Sequence, residues 1–179
     1  MSTPLSRWRA SPARLASLMF GLVIFGAGEA LLIASELGNS PWTVFAEGLE
    51  VQTPLSVGAA TVVTSFVILL LWIPLRQRPG LGTIANAVVV GLAIDATLLV
   101  LPEDAALVPR IGEVVIGIAL VALGSAFYLG AALGPGPRDG LMTGLHRITG
   151  RSVAPLRTGI EVAALVVGVI LGGTFGPGT

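Results

Sequence analysis

The chain has 179 residues, 54% of them hydrophobic and 11% charged, and its ten acidic and ten basic side chains cancel to zero net charge. Soluble domains carry roughly 25% charged residues, so a mean hydropathy of +0.90 excludes an ordinary soluble enzyme, and the zero balance leaves no basic footprint for nucleic acid. Cysteine is absent and histidine occurs once, so disulfides, thiolate nucleophiles, metal centres and cofactors are not expected.

Residues 1–14 read as a polar tail carrying Arg7, Arg9 and Arg14. The first apolar segment, 15–35, is longer than the roughly 7–15-residue core of a secretory signal and lacks a small-x-small cleavage site. It reads as a membrane helix that also directs insertion. Leu37-Gly38-Asn39-Ser40-Pro41 follows, and Ser40-Pro41 has the form of an N-cap with a first-turn proline. That predicts a short helix over 42–49. Apolar segments at 57–75 and 84–101 come next, the latter introduced by Pro79-Gly80-Leu81-Gly82-Thr83. A fourth covers 111–133. Gly136-Pro137 then starts a second short helix over 138–148, and the fifth apolar segment is 155–171. Runs of about 20 apolar residues match the hydrocarbon thickness of a bilayer, and only helices can cross it as single segments. The expected fold is therefore all-α, a polytopic transmembrane bundle of five spans.

Arginine placement orients the chain. The N-terminal tail is arginine-rich, whereas the first loop has Glu36, Glu47 and Glu50 and no arginine. The second loop holds Arg76 and Arg78; the third has Glu103, Asp104 and only Arg110. The fourth holds Arg138, Arg147 and Arg151, with Arg157 just beyond it. Rich and poor loops alternate, so the positive-inside rule places the N-terminus in the cytoplasm of a plasma-membrane protein.

A repeat runs through the chain at an offset of about 96 residues. Leu37, Gly38 and Pro41 recur as Leu133, Gly134 and Pro137; Gly80, Gly82 and Thr83 recur as Gly176, Gly178 and Thr179; Gly21 and Gly28 recur as Gly117 and Gly124. Residues 15–109 form a first three-helix unit and residues 110–179 a second with two helices, the counterpart of 84–101 being absent. An odd number of spans inverts the next copy, which is the arrangement of many secondary transporters. With the closing motif intact, truncation is the expected reason for the missing sixth helix, and loss of a helix from a six-helix ancestor is the alternative.

The motifs admit two readings each. Gly38 and Pro41, with Gly134, Pro137, Arg138 and Asp139, mark either helices broken beside a midplane site or ordinary turns with interfacial helices, one anchored by Trp42. Gly80, Gly82 and Thr83 mark either an anion-approachable helix start or, preferably, a tight turn with a close helix contact. Ionisable side chains inside spans are costly, and by default they are functional candidates. Glu29 and Glu161 lie deep; Arg157 is four residues from Glu161 and can pair with it; Asp95 and Glu113 lie nearer predicted ends. Asn86 adds a polar group early in the third span, and His146 reads as a solvated loop residue.

Four stretches, LGNSPWTVFAEGL, PGLGTIANAVVVGLAID, GPGPRDGLMTGL and RTGIEVAALVVGVILGGTFGPGT, resemble the YczE/YitT-type family of bacterial integral membrane proteins. The resemblance implies six, or sometimes five, membrane helices and a transport role with no defined substrate. The expected function is thus a small transporter or permease with a polar path lined by Glu29, Asp95, Arg157, Glu161 and Asn86. Its partners would be the lipid bilayer and a small-molecule or ion substrate, with a homo-oligomer as an option. The alternative is a non-transporting regulatory or scaffold protein, presenting the Gly21/Gly28 and Gly117/Gly124 faces to a partner. Without a Ser/His/Asp set, a Cys/His pair or an HExxH motif, an enzyme is not expected.

Overall fold

The structure, a computed structural model, describes residues 6–102 and 106–179. Glu103 and Asp104, assigned by charge to the third loop, lie outside them. Among the described residues the chain forms seven helices and no strand. These are α1 (Pro12–Ser35), α2 (Pro41–Gln52), α3 (Val57–Leu71), α4 (Leu81–Leu98), α5 (Leu107–Gly130), α6 (Pro137–Thr149) and α7 (Val153–Leu171). Proline occupies the first turn of α1, α2 and α6, where its missing N–H costs nothing and its fixed φ favours the helix. Ser11 and Ser56 accept backbone N–H groups at the starts of α1 and α3.

Helices α1, α4, α5 and α7 are each long and apolar enough to cross a membrane. Helix α3 is shorter than the segment 57–75 led one to expect. It stops at Leu71, where Trp72 begins a turn, and fifteen residues at 1.5 Å each reach only about 22 Å. A fifth crossing needs α2 and α3 together, bent at their junction by 112°.

Helices α1 and α5 pack antiparallel along a glycine seam. A Cβ at Gly21 would lie 2.8 Å from the Gly124 oxygen, and one at Gly28 would lie 2.7 Å from the Gly117 oxygen. The faces expected to be open to a partner are therefore turned on each other within one chain. The correction has a simple cause: without a hydrophobic drive between helices in lipid, small residues are used where backbones approach closely, and this chain supplies both sides of such a contact. The same device recurs where Gly58 meets Gly91 between α3 and α4, and where Gly168 meets the backbone of Val44 and Phe45 between α7 and α2. Large apolar side chains such as Phe20, Val67, Leu92, Ile116 and Ile170 point outward, as a lipid-facing surface requires.

The residues that repeat in sequence also clasp each other crosswise. The Gly82 N–H donates to the Leu133 oxygen at 2.9 Å, and the Gly178 N–H donates to the Leu37 oxygen at 2.8 Å. The Gly80 N–H donates to Thr83 Oγ1, and the Gly176 N–H to Thr179 Oγ1, both at 3.1 Å. Gly38 and Gly134 sit at φ 121° and 118°, a region open to glycine but strained for other residues, and each faces the threonine hydroxyl of the opposite clasp. Arg14 donates to the Ala131 and Ala132 oxygens at the end of α5, while Arg110 pairs with Glu36 at the end of α1. Guanidinium groups at helix C-termini complement the unpaired carbonyls there.

These contacts decide the reading of the Gly80-Leu81-Gly82-Thr83 motif. Its N–H donors are consumed inside the protein, so it is a turn and a close contact with no donors left for an anion.

Candidate functional site

Helices α2 and α6 start at Ser40-Pro41 and Gly136-Pro137, and both starts open on one cavity of about 390 Å³. The cavity is built from equivalent positions of the two halves. Thr61 and Ser65 on α3 face it, as do Arg157 and Glu161 at the matching turns of α7. Trp42 on α2 and Arg138 on α6 are likewise equivalent, and the Arg138 guanidinium carbon lies 5.1 Å from the Trp42 ring centroid, within range of a cation–π contact.

Glu29 is the deepest charge. It projects from the C-terminal third of α1 and is 3% exposed. Its carboxylate accepts from Thr43 Oγ1 at 2.6 Å and from Ser40 Oγ at 3.1 Å, both at the start of α2. Asp139 accepts from the Tyr128 hydroxyl at 2.7 Å. Arg157 Nε donates to Glu161 Oε1 at 2.9 Å, the pair sitting four residues apart on α7. A buried carboxylate persists only when hydrogen-bonded or paired, as Glu29 is; Asp139 and Glu161 are half-buried and partnered as well.

Of the sequence candidates, the cavity gathers Glu29, Asn86, Arg157 and Glu161, and also Pro41, Arg138 and Asp139 from the helix-break motifs. Gly38, Gly80, Gly82, Thr83 and Gly134 form the clasps instead, and Pro137 offers its carbonyl to the Trp72 indole N–H at 3.0 Å. Asp95 stands apart from the cavity, a departure from the expected path. Its two oxygens accept from Ser56 Oγ at 2.6 Å and from the Gly58 N–H at 2.8 Å, capping α3 from α4. The reason is helical phase: Asn86 and Asp95 are nine residues apart, which at 3.6 residues per turn places them on opposite faces of α4. Asp95→Ala is accordingly expected to cost about 2 kcal/mol of stability, seen as a lowered melting temperature, with flux per folded molecule unchanged. Loss of flux without loss of stability would return Asp95 to the path.

Two features had no clear local signal. Glu47, counted with the first loop for orientation and within the short helix expected over 42–49, is 9% exposed on α2; it accepts from Asn39 Nδ2 at 2.7 Å and from the Thr174 N–H at 3.0 Å. Its second partner lies 127 residues away, beyond any periodicity argument. Ser40 and Thr43 read only as capping and turn residues, yet they hold Glu29. Glu113 lies near the start of α5, with one oxygen lacking a hydrogen-bond partner. His146 is exposed, with Nδ1 2.6 Å from the Arg151 oxygen. Among the described residues no three His, Asp or Glu side chains come together as a metal site.

A family profile described as "Family of unknown function (DUF6198)" matches residues 12–179. An uncharacterized protein of Haemophilus influenzae is 38% identical over 174 residues, covering 97% of this chain and 80% of its own. The uncharacterized membrane protein YczE of Bacillus subtilis is 34% identical over 161 residues, covering 89% of this chain and 75% of its own. A second Bacillus subtilis relative, the uncharacterized protein YyaS, is 31% identical over 163 residues, covering 89% and 81%. No solved structure matches.

Proposed function

We propose that this chain, which belongs to the DUF6198 family of unknown function, is a small carrier whose substrate binds in the cavity between its two halves. Membrane character rests on the apolar helices and on the named membrane relative; the carrier role is the further step. One observation supports it above the rest. A single cavity within a membrane bundle holds five charged side chains, Glu29 from the first half and Arg138, Asp139, Arg157 and Glu161 from the second, where intramembrane charge is expensive and is retained for function. Two helix starts open on the same space, the arrangement by which broken helices present a midplane site.

The antiparallel α1–α5 seam and the crosswise clasps support reading the halves as an inverted repeat, in which rocking one half against the other gives alternating access. The scaffold alternative loses its sequence basis, because its glycine faces are spent inside the chain. The chemistry proposed is binding and passage without bond breaking, with the Ser40 and Thr43 hydroxyls holding the Glu29 carboxylate in place. We place the N-terminus in the cytoplasm and the protein in the plasma membrane, as arginine placement directs.

The purified chain in proteoliposomes is expected to give saturable uptake of at least one small solute over protein-free vesicles. A stable, folded chain that moves none of a broad solute panel, but co-purifies with a partner, would move the assignment to the scaffold class. Orientation is read separately, in intact cells that express the chain. The natural sequence has no cysteine, so a single Ser6→Cys should resist an impermeant maleimide applied from outside, and Gln52→Cys should react.

A further inference from the structure

The charged groups of the cavity are not interchangeable in their unmet demands, and this difference names a ligand class. Among the described residues two ion pairs form, Arg110–Glu36 and Arg157–Glu161, and neither includes Arg138. Among the described residues Arg138 has no hydrogen-bond acceptor either. Its guanidinium lies over the Trp42 ring face, and the Glu29, Asp139 and Glu161 carboxylates act on it through charge without a hydrogen bond, which leaves the nitrogen fork free to take one. A guanidinium carries five N–H donors in a planar fork whose best match is a carboxylate taken with two parallel hydrogen bonds. Arg138 is half-buried, and a charged donor there favours an ionised acceptor over a neutral one.

The carboxylates make the opposite demand. Glu29 accepts from two hydroxyls and Asp139 from one, while a carboxylate offers about four lone-pair sites. Both retain acceptor capacity on the wall of the cavity. Glu161 is already matched to Arg157. The five side chains, Glu29, Arg138, Asp139, Arg157 and Glu161, sum to a formal charge of −1 when all are ionised. A bare anion would thus enter against the net charge and against two carboxylates. A bare cation would satisfy Glu29 and Asp139 but leave the Arg138 fork empty.

We infer that the cavity binds a small zwitterion, an α-amino acid or a molecule of the same kind, with its carboxylate on Arg138 and its ammonium toward Glu29 and Asp139. The inference rests on the carrier reading only for the passage of that ligand, and on the cavity alone for its binding. The volume of about 390 Å³ lies at the small end of the roughly 300–1,000 Å³ span of ligand pockets, which suits a solute of this size. Phe25 and Met142 on the wall offer an apolar surface for a side chain.

The test uses the full chain in detergent, with the twenty common L-amino acids and glycine betaine as probes, read by melting temperature and calorimetric titration. At least one zwitterion is expected to raise the melting temperature in a concentration-dependent way. The analogues of that ligand lacking either the carboxylate or the amine (for leucine, 3-methylbutylamine and 4-methylpentanoate) should bind at least about tenfold more weakly. Arg138→Gln should weaken the zwitterion by about tenfold or more and leave the amine analogue nearly unchanged, with Arg138→Lys between the two. Should Arg138→Gln fail to fold, the analogue comparison on the natural chain still decides. An amine that binds as tightly as its parent zwitterion overturns the inference, and so does a panel in which nothing binds. A zwitterion that binds but is not moved in proteoliposomes removes the carrier reading and leaves the site; saturable flux of a solute with no carboxylate does the reverse.

Discussion

Gly124→Leu is expected to collapse the folded chain. A Cβ at this position would lie 2.6 Å from the Gly21 oxygen, 2.6 Å from the Phe25 nitrogen and 2.9 Å from its Cα. All three are backbone atoms of α1, so no rotamer change can make room and the two helices must part. Overpacking costs typically 1–3 kcal/mol where side chains can adjust; with only backbone facing the intruder, about 3 kcal/mol or more is expected. Little offsets that loss, since lipid is as apolar as the faces it would then solvate. Gly159→Leu is the control, because nothing lies within 4 Å of a Cβ there although the residue is also in a membrane helix. Size-exclusion profiles and melting curves of the two variants in one detergent are the measurement. The expected result is an aggregated or strongly destabilised Gly124→Leu beside a Gly159→Leu close to the natural chain. Equal behaviour of the two would return the glycine faces to the lipid surface, and with them the scaffold reading.

That experiment also bears on what can be read from a sequence like this one. Helix starts were legible because they are chemical: Ser40-Pro41 and Gly136-Pro137 are start signals whose meaning is local, and α2 and α6 begin there. The five apolar segments were legible because hydrocarbon thickness sets their length, although Trp72 and the turn after it shortened one of them. Gly21 and Gly124 could be recognised as contact residues, but not which contact, since a glycine stripe looks the same whether its partner is in the same chain or another. The site divided in a similar way. Glu29, Arg157 and Glu161 declared themselves as charges in apolar runs, whereas Arg138 was placed with the helix break, where an arginine beside a loop reads as a topology signal. Asp95 shows the converse. Its cost in an apolar segment was visible, but a capping role depends on Ser56 and Gly58 of another helix. The nine-residue interval from Asn86 was the one available hint that the two could not share a cavity.

Glu29→Gln is expected to abolish transport while leaving the fold in place, and the argument turns on separating charge from packing. The amide keeps the shape of the carboxylate, and its oxygen can still accept from Thr43, which donates to Glu29 at 2.6 Å. Ser40 can turn toward Thr43, the two hydroxyls being 2.9 Å apart, so neither is stranded. Glu29→Leu lacks every acceptor and is expected to lower stability as well, by about 1–3 kcal/mol for a buried polar group left unmatched. The two variants therefore differ in stability and agree in flux. If the ligand ammonium is met by Glu29, neutralising that carboxylate removes one partner of a charge pair, a loss of about 2–5 kcal/mol or roughly one and a half to three and a half orders of magnitude in apparent affinity. Asp139 faces the same cavity but sits at the start of α6, so it meets the ammonium from another side and leaves the position of Glu29 unfilled. Uptake into proteoliposomes, normalised to folded protein, is the readout. Full flux in Glu29→Gln would show that the deepest charge in the bundle serves only to hold the start of α2 against α1, and the binding role would then fall to Asp139 and Arg138 alone.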